Sequence, residues 1–180
     1  IMGSTTNGKY PIVYCRGNHE LRGGFSTMLL EYFPTKTGEF YFDFRYGPLW
    51  GVVLDTGEGS DDPHQYFGNL ANFKNYTQNQ EVWLRQLRRD TTATFRFGIY
   101  HIPHLDSYTQ FPNSNSQNFI QNGVDYIDSI GHLGLQCAVS GHAHNCRIIE
   151  GQRGVNPGVY ETYAQHDSVM AGGSDSDVAT

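Results

Sequence analysis

Three short apolar runs in this chain each end in a motif that carries histidine, and this pattern constrains the fold more than any other feature. The motifs are Gly17-Asn18-His19-Glu20, His101-Ile102-Pro103 and Gly141-His142-Ala143-His144, and they follow the runs 12–15, 95–100 and 135–140. Each run has the length and composition of a buried strand. Open α/β sheets place their ligand loops after the carboxyl ends of strands, so the pattern predicts an α/β fold in which these motifs converge.

The segments between these runs predict the remaining elements. Apolar residues at helical spacing predict a short helix over 25–33 that ends at Pro34, and a Gly-Pro turn at 47–48 joins predicted strands over 39–44 and 49–55. Thr77 and Gln80 form a capping box that predicts a helix start, after a long surface loop over 56–76. Further predictions are a loop over 103–117, a helix over 119–130 and a final hairpin made of 147–150 and 158–164.

Composition predicts one domain over residues 1–170 and a disordered Gly- and Ser-rich tail over 171–180. No segment approaches the roughly 20 continuous apolar residues of a membrane helix, so we expect a soluble protein with no membrane partner. The net charge of -6 argues against non-specific nucleic-acid binding, which needs a basic surface. The three cysteines, Cys15, Cys137 and Cys146, are interpreted as buried or structural thiols and do not fix the compartment.

The donor atoms in the three motifs indicate a metal site. Asn18, His101, His142 and His144 offer one amide oxygen and three imidazoles, which are donors that Zn, Mn or Fe accept. A Gly-Asn pair alone is ordinary turn chemistry. The placement of all three motifs after predicted strands is what favours metal ligation.

This set of motifs, in this order, resembles the calcineurin-like metallophosphoesterases. The segments 41–44, 54–58 and 80–84 are similar to the bacterial purple-acid-phosphatase-like members, so the resemblance covers most of residues 12–150. It implies a metallophosphoesterase-type α/β/β/α sandwich and the hydrolysis of phosphate mono- or diesters by water activated by two metal ions. It also implies a small phosphoester substrate, and it favours an extracytoplasmic location.

The resemblance assigns a role to each motif residue. Asn18, His101 and His142 would bind one metal ion, and His144 would bind the other. His19 would contact the phosphate or protonate the leaving alkoxide, as an imidazole near neutral pH can do. Alternation along an extended loop predicts that His142 and His144 face the same way.

Four further residues are candidates for supporting roles. Glu20 is expected to hold its loop or to orient His19, Arg22 to grip a substrate phosphate, Glu58 to shape the substrate pocket and His104 to border the cleft. For Arg22 and Glu58, a solvated loop side chain is the alternative interpretation.

The chain lacks part of the family pattern. The motifs Asp-x-His and Gly-Asp-x-x-Asp should precede Gly17, but only sixteen residues precede it and none is Asp, Glu or His. The resemblance therefore implies the C-terminal portion of a two-metal enzyme with an incomplete sandwich. Two alternatives stay open: an inactive fragment or folding unit that binds at most one metal weakly, and a homo-oligomer formed through exposed sheet edges.

Overall fold

A six-stranded mixed sheet organises the structure, a computed structural model that describes residues 7–22, 24–57, 73–102, 131–142, 147–149 and 167–170. The strands are β1 (Phe42–Tyr46), β2 (Leu49–Val53), β3 (Phe95–Ile99), β4 (Cys137–Ser140), β5 (Arg147–Ile149) and β6 (Asp167–Met170). Their order in the sheet is β1-β2-β3-β4-β6-β5. Strands β2, β3, β4 and β6 run parallel, whereas β1 and β5 pair antiparallel with their neighbours. The predicted α/β class is confirmed.

The β1-β2 hairpin turns where the Gly-Pro pair predicted. Gly47 has a φ of 57°, in the left-handed region that glycine enters without steric cost. Within the hairpin, Phe44 lies opposite Gly51, and its ring covers the place that a Cβ at Gly51 would occupy. The same ring packs edge-on against Phe97 of β3 at 5.9 Å.

Within the described ranges, two α-helices accompany the sheet: α1 (Leu29–Tyr32) and α2 (Phe73–Gln86). Helix α2 packs on one face, since its Leu84 lies in the same buried cluster as Trp50 and Val52 of β2, and Trp83 and Leu87 pack against that cluster. The buried cluster comprises Trp50, Val52, Leu54, Leu84, Ala93, Tyr100, Leu133, Leu135 and Ala138. Burying each large side chain contributes about 1.5–3 kcal/mol, so this cluster fixes the sheet on which the candidate site is built.

The opposite face of the sheet carries an open apolar groove of about 590 Å³. Phe42, Phe44, Phe97 and Ile99 form its floor, and the segment 11–14 lies along it. The predicted buried strand at 12–15 is wrong, since this segment belongs to no strand and leaves Ile12 46% exposed. Within the described residues it pairs with no sheet neighbour, which a strand requires.

Two helix predictions are also corrected. The helix predicted over 25–33 is limited to α1, and Phe25 is 71% exposed and outside it. The capping box at Thr77 and Gln80 is wrong because α2 is already helical from Phe73. Gln80 is fully buried, and its side chain forms hydrogen bonds with the backbone of Asp55.

The final hairpin differs from its prediction in one strand. β5 pairs antiparallel with β6 at 167–170, and β6 also lies parallel to β4. The segment 158–164, the helix over 119–130, most of both long loops and the tail 171–180 lie outside the described residues. In the described part of the chain, no helix is long and apolar enough to cross a membrane.

Candidate metal centre

The carboxyl ends of β2, β3 and β4 meet at one edge of the sheet, because these strands are parallel neighbours. The ladder continues past the strands, with the N–H of Tyr100 donating to Val139 at 3.1 Å and that of Gly141 to His101 at 2.9 Å. His101 and His142 therefore emerge side by side. The prediction that His101 and His142 lie on loops directly after strands is confirmed.

The structure brings Asn18 to the same place. Its Oδ1 lies 3.0 Å from Nε2 of His101, and that nitrogen lies 3.2 Å from Nδ1 of His142. Asn18 is only 5% exposed, and the two imidazole rings meet edge to face at 5.1 Å. Asn18 and His101 are 83 positions apart in the chain, and His101 and His142 are 41 apart, yet the three side chains meet.

Two of the three distances between these donor atoms are compatible with a shared metal ion. Metal bonds of 2.0–2.2 Å give ligand-to-ligand distances of about 2.8 Å in octahedral and up to about 3.6 Å in tetrahedral geometry. The contacts of 3.0 and 3.2 Å fall in that range. Among the described residues, no group of three His, Cys, Asp or Glu side chains could hold a metal. The amide of Asn18 is therefore what makes this a three-donor site, and all three donors are neutral.

The loop that carries Asn18 is held locally by its own motif. Residues His19–Leu21 form one 3-10 turn, and buried Leu21 anchors it. The carboxylate of Glu20 accepts the N–H of Gly17 at 2.8 Å, which confirms that Glu20 holds the loop. A Cβ at Gly17 would lie 2.7 Å from that carboxylate and 3.2 Å from the His101 ring, so only glycine fits without displacing them. His19 itself is exposed on the outside of the turn.

His142 adopts a left-handed backbone with a φ of 69°. The prediction of an extended loop is wrong at this residue, because the Gly-His turn bends the chain directly after β4. Alternation consequently gives no basis for the relative direction of His142 and His144, and His144 lies outside the described residues. A left-handed non-glycine residue costs about 1–2 kcal/mol, and such strain concentrates at functional sites.

Sequence reasoning missed a buried ion pair beneath the Asn18 loop. Arg16 pairs with the carboxylate of Asp55, and both residues are buried, at 8% and 1% exposure. The guanidinium stacks over the ring of Phe40, 3.9 Å from its centroid. One signal was available: Asp55 follows β2 at the same sheet edge as the histidine motifs follow β3 and β4.

The remaining candidates have different outcomes. Arg22 is partly exposed just after the 3-10 turn, while Glu58 and His104 lie outside the described residues. Cys15 is partly buried, and burial together with the charges of Asp55 and Glu20 raises the pKa of its thiol to about 12. An unreactive thiol is what the sequence predicted there.

Comparison with known proteins finds a distant relative, whereas no family model matches the chain. The chain is 24% identical over 142 residues to the serine/threonine-protein phosphatase CPPED1 of Danio rerio. The alignment takes in 77% of this chain but only 43% of that protein, so the chain spans less than half of the relative's length. This similarity suggests a relationship with the metallophosphoesterases.

Proposed function

We propose that this chain carries part of the active site of a metal-dependent phosphoesterase of the calcineurin-like type. The observation that carries the proposal is the meeting of Asn18, His101 and His142 at the sheet edge, with donor atoms 3.0 and 3.2 Å apart. The similarity to a phosphatase supports hydrolysis as the reaction class. The complete enzyme would hold two ions of Zn, Mn or Fe, with His144 as a ligand of the second.

The chain's own residues would bind the metal and orient the substrate. When bound, the metals would polarise the phosphoryl group and lower the pKa of a bound water. Asn18, His101 and His142 would hold the first ion, and burial of Asn18 would exclude competing water from its amide. His19 is exposed next to this cluster, where it can donate a proton to the leaving oxygen. Arg22, close by, can pair with a phosphate.

The finer parts of the proposal rest on the family resemblance. They are the purple-acid-phosphatase-like subtype, the α/β/β/α sandwich, a small phosphoester substrate and an extracytoplasmic location. Glu58 and His104 would contact the substrate in this arrangement. None of these features is needed for the metal centre itself.

A second candidate function is favoured by the charge of the donor set. Asn18, His101 and His142 are neutral ligands, so a divalent cation gains no charge compensation from them. A chain with only these donors would bind one metal weakly and have little activity, as expected of a folding unit or fragment.

Hydrolysis of an aryl phosphate with Zn, Mn or Fe separates the two candidates. The phosphoesterase proposal predicts metal-dependent turnover that His101→Ala abolishes. His132→Ala is the matched control, because His132 is exposed before the amino end of β4 and binds the carbonyl of Leu87 instead. Metal binding by calorimetry without turnover would favour the fragment. Measurable turnover that is equal in His101→Ala and the unsubstituted chain would refute the proposed site.

A further inference from the structure

The dipeptide Asp55-Thr56 contacts both of the loops that carry the first metal donors. It follows β2 directly after Leu54, between the loop of Asn18 and the loop of His101. We propose that Asp55 and Thr56 are positioning residues that set the distance between Asn18 and His101. This inference rests on the proposed metal site and adds to it two residues that do not touch the metal.

On the first side, Asp55 holds the Asn18 loop through Arg16. Only Gly17 separates Arg16 from Asn18, so fixing the guanidinium fixes the start of the donor loop. The ion pair is buried, and Cζ of Arg16 lies 3.9 and 5.7 Å from the ring centroids of Phe40 and Tyr76. A planar cation that is paired with a carboxylate and lies against aromatic rings has little freedom to move.

On the second side, Thr56 holds the His101 loop. Its hydroxyl oxygen accepts the N–H of Ile102 at 2.9 Å, and Ile102 is fully buried. The carbonyl of His101 in turn accepts the N–H of Gly141, which precedes His142. One hydroxyl therefore constrains the backbone that presents His101, and through it the backbone next to His142.

The dipeptide is fixed independently of the site by helix α2. The side chain of Gln80 accepts the N–H of Asp55 and donates to its carbonyl, both at 2.8 Å. The other oxygen of the Asp55 carboxylate accepts the N–H of Gly57 at 3.0 Å. Asn18 and His101 are therefore both positioned by Asp55-Thr56, which the core holds in place. Outer-shell residues commonly orient metal ligands in this way.

The test removes each contact of the dipeptide in turn and measures the effect on the loop that this contact holds. Thr56→Val keeps the shape of the side chain and removes the acceptor for Ile102, whereas Thr56→Ser keeps the hydroxyl and is the matched control. Asp55→Asn is a second variant for the Arg16 side, to be read only if circular dichroism shows it folded. Two readouts are taken on the full chain: Co²⁺ affinity with its visible spectrum, and amide hydrogen exchange without metal.

We expect Thr56→Val to weaken Co²⁺ binding at least about tenfold and to shift the visible bands, which is the usual effect of losing an outer-shell partner. Exchange should speed up at Ile102 in Thr56→Val, because the acceptor of its N–H is removed, and at Asn18 and His19 in folded Asp55→Asn, because Arg16 loses its ion pair. Thr56→Ser should stay within about twofold on both readouts.

Two results would overturn the inference: an unchanged Co²⁺ affinity and spectrum in folded Thr56→Val, or unchanged exchange at Asn18 and His19 in folded Asp55→Asn. If the unsubstituted chain binds no Co²⁺, the proposed metal site fails by itself, and exchange at Ile102 in Thr56→Val and at Asn18 and His19 in Asp55→Asn then decides the positioning role alone. The failure of the function and the failure of this inference are therefore distinguishable.

Discussion

The substitution Gln80→Met tests how firmly the core holds the site, because methionine matches glutamine in length but cannot make its two hydrogen bonds. Gln80 is 0% exposed and bonds both the N–H and the carbonyl of Asp55 at 2.8 Å. Each buried backbone group left without a partner costs about 1–3 kcal/mol, so the two together cost about 2–6 kcal/mol. Burial of the methionine side chain offsets part of this, and we expect a net loss of about 2–4 kcal/mol.

The assay is urea unfolding followed by circular dichroism, with stability taken from the midpoint and slope. Gln78→Met is the matched control, since Gln78 is exposed on the same helix and its substitution should change stability by less than about 0.5 kcal/mol. A loss below about 1 kcal/mol for Gln80→Met, or an equal loss for Gln78→Met, would refute the view that Gln80 anchors the Asp55 loop.

Three further predictions concern backbone strain, thiol reactivity and acid stability. His142→Gly should be more stable than His142→Ala by about 1 kcal/mol in urea unfolding, because only glycine accepts a φ of 69° without cost; equal stabilities would contradict this. Cys15, with its pKa raised to about 12, should react with iodoacetamide at pH 8 roughly a hundredfold or more slowly in the folded chain than in urea, by peptide mass mapping; similar rates would contradict it. The hydrogen bond from the Thr92 side chain lowers the pKa of Asp90, so the stability it provides is present above the ordinary carboxyl pKa and lost as pH falls through the lowered one. Asp90→Asn should therefore lose less stability on acidification, and an unchanged pH dependence would count against this.

The strands that hold the donors were predictable because their sequence signals are local. Residues 95–100 and 135–140 are apolar runs with a histidine motif directly after them, and β3 and β4 lie within them. β6 was not predicted because Asp167 and Ser168 interrupt any apolar run, and its place between β4 and β5 is a matter of tertiary pairing.

Within the candidate site, the positions of His101 and His142 followed from motif placement after strands, whereas Asn18 joins them although the run 12–15 before it forms no strand. The turn at His142 was not predicted, because only a few per cent of non-glycine residues have a positive φ and a single histidine does not mark one. The ion pair of Arg16 and Asp55 also escaped prediction. Its partners are 39 residues apart, and charged residues are rarely buried unless they are paired, which a single sequence does not reveal.

Anomalous X-ray diffraction from crystals of the chain soaked in Zn²⁺ or Mn²⁺ tests the central claim most directly. The account predicts a peak within about 2.3 Å of Oδ1 of Asn18, Nε2 of His101 and Nδ1 of His142, the distance expected of coordinating ligands. His101→Ala crystals should lose this peak, while His132→Ala crystals should keep it. A peak that survives His101→Ala, or metal bound only elsewhere on the chain, would contradict the assignment of these three residues as a metal centre.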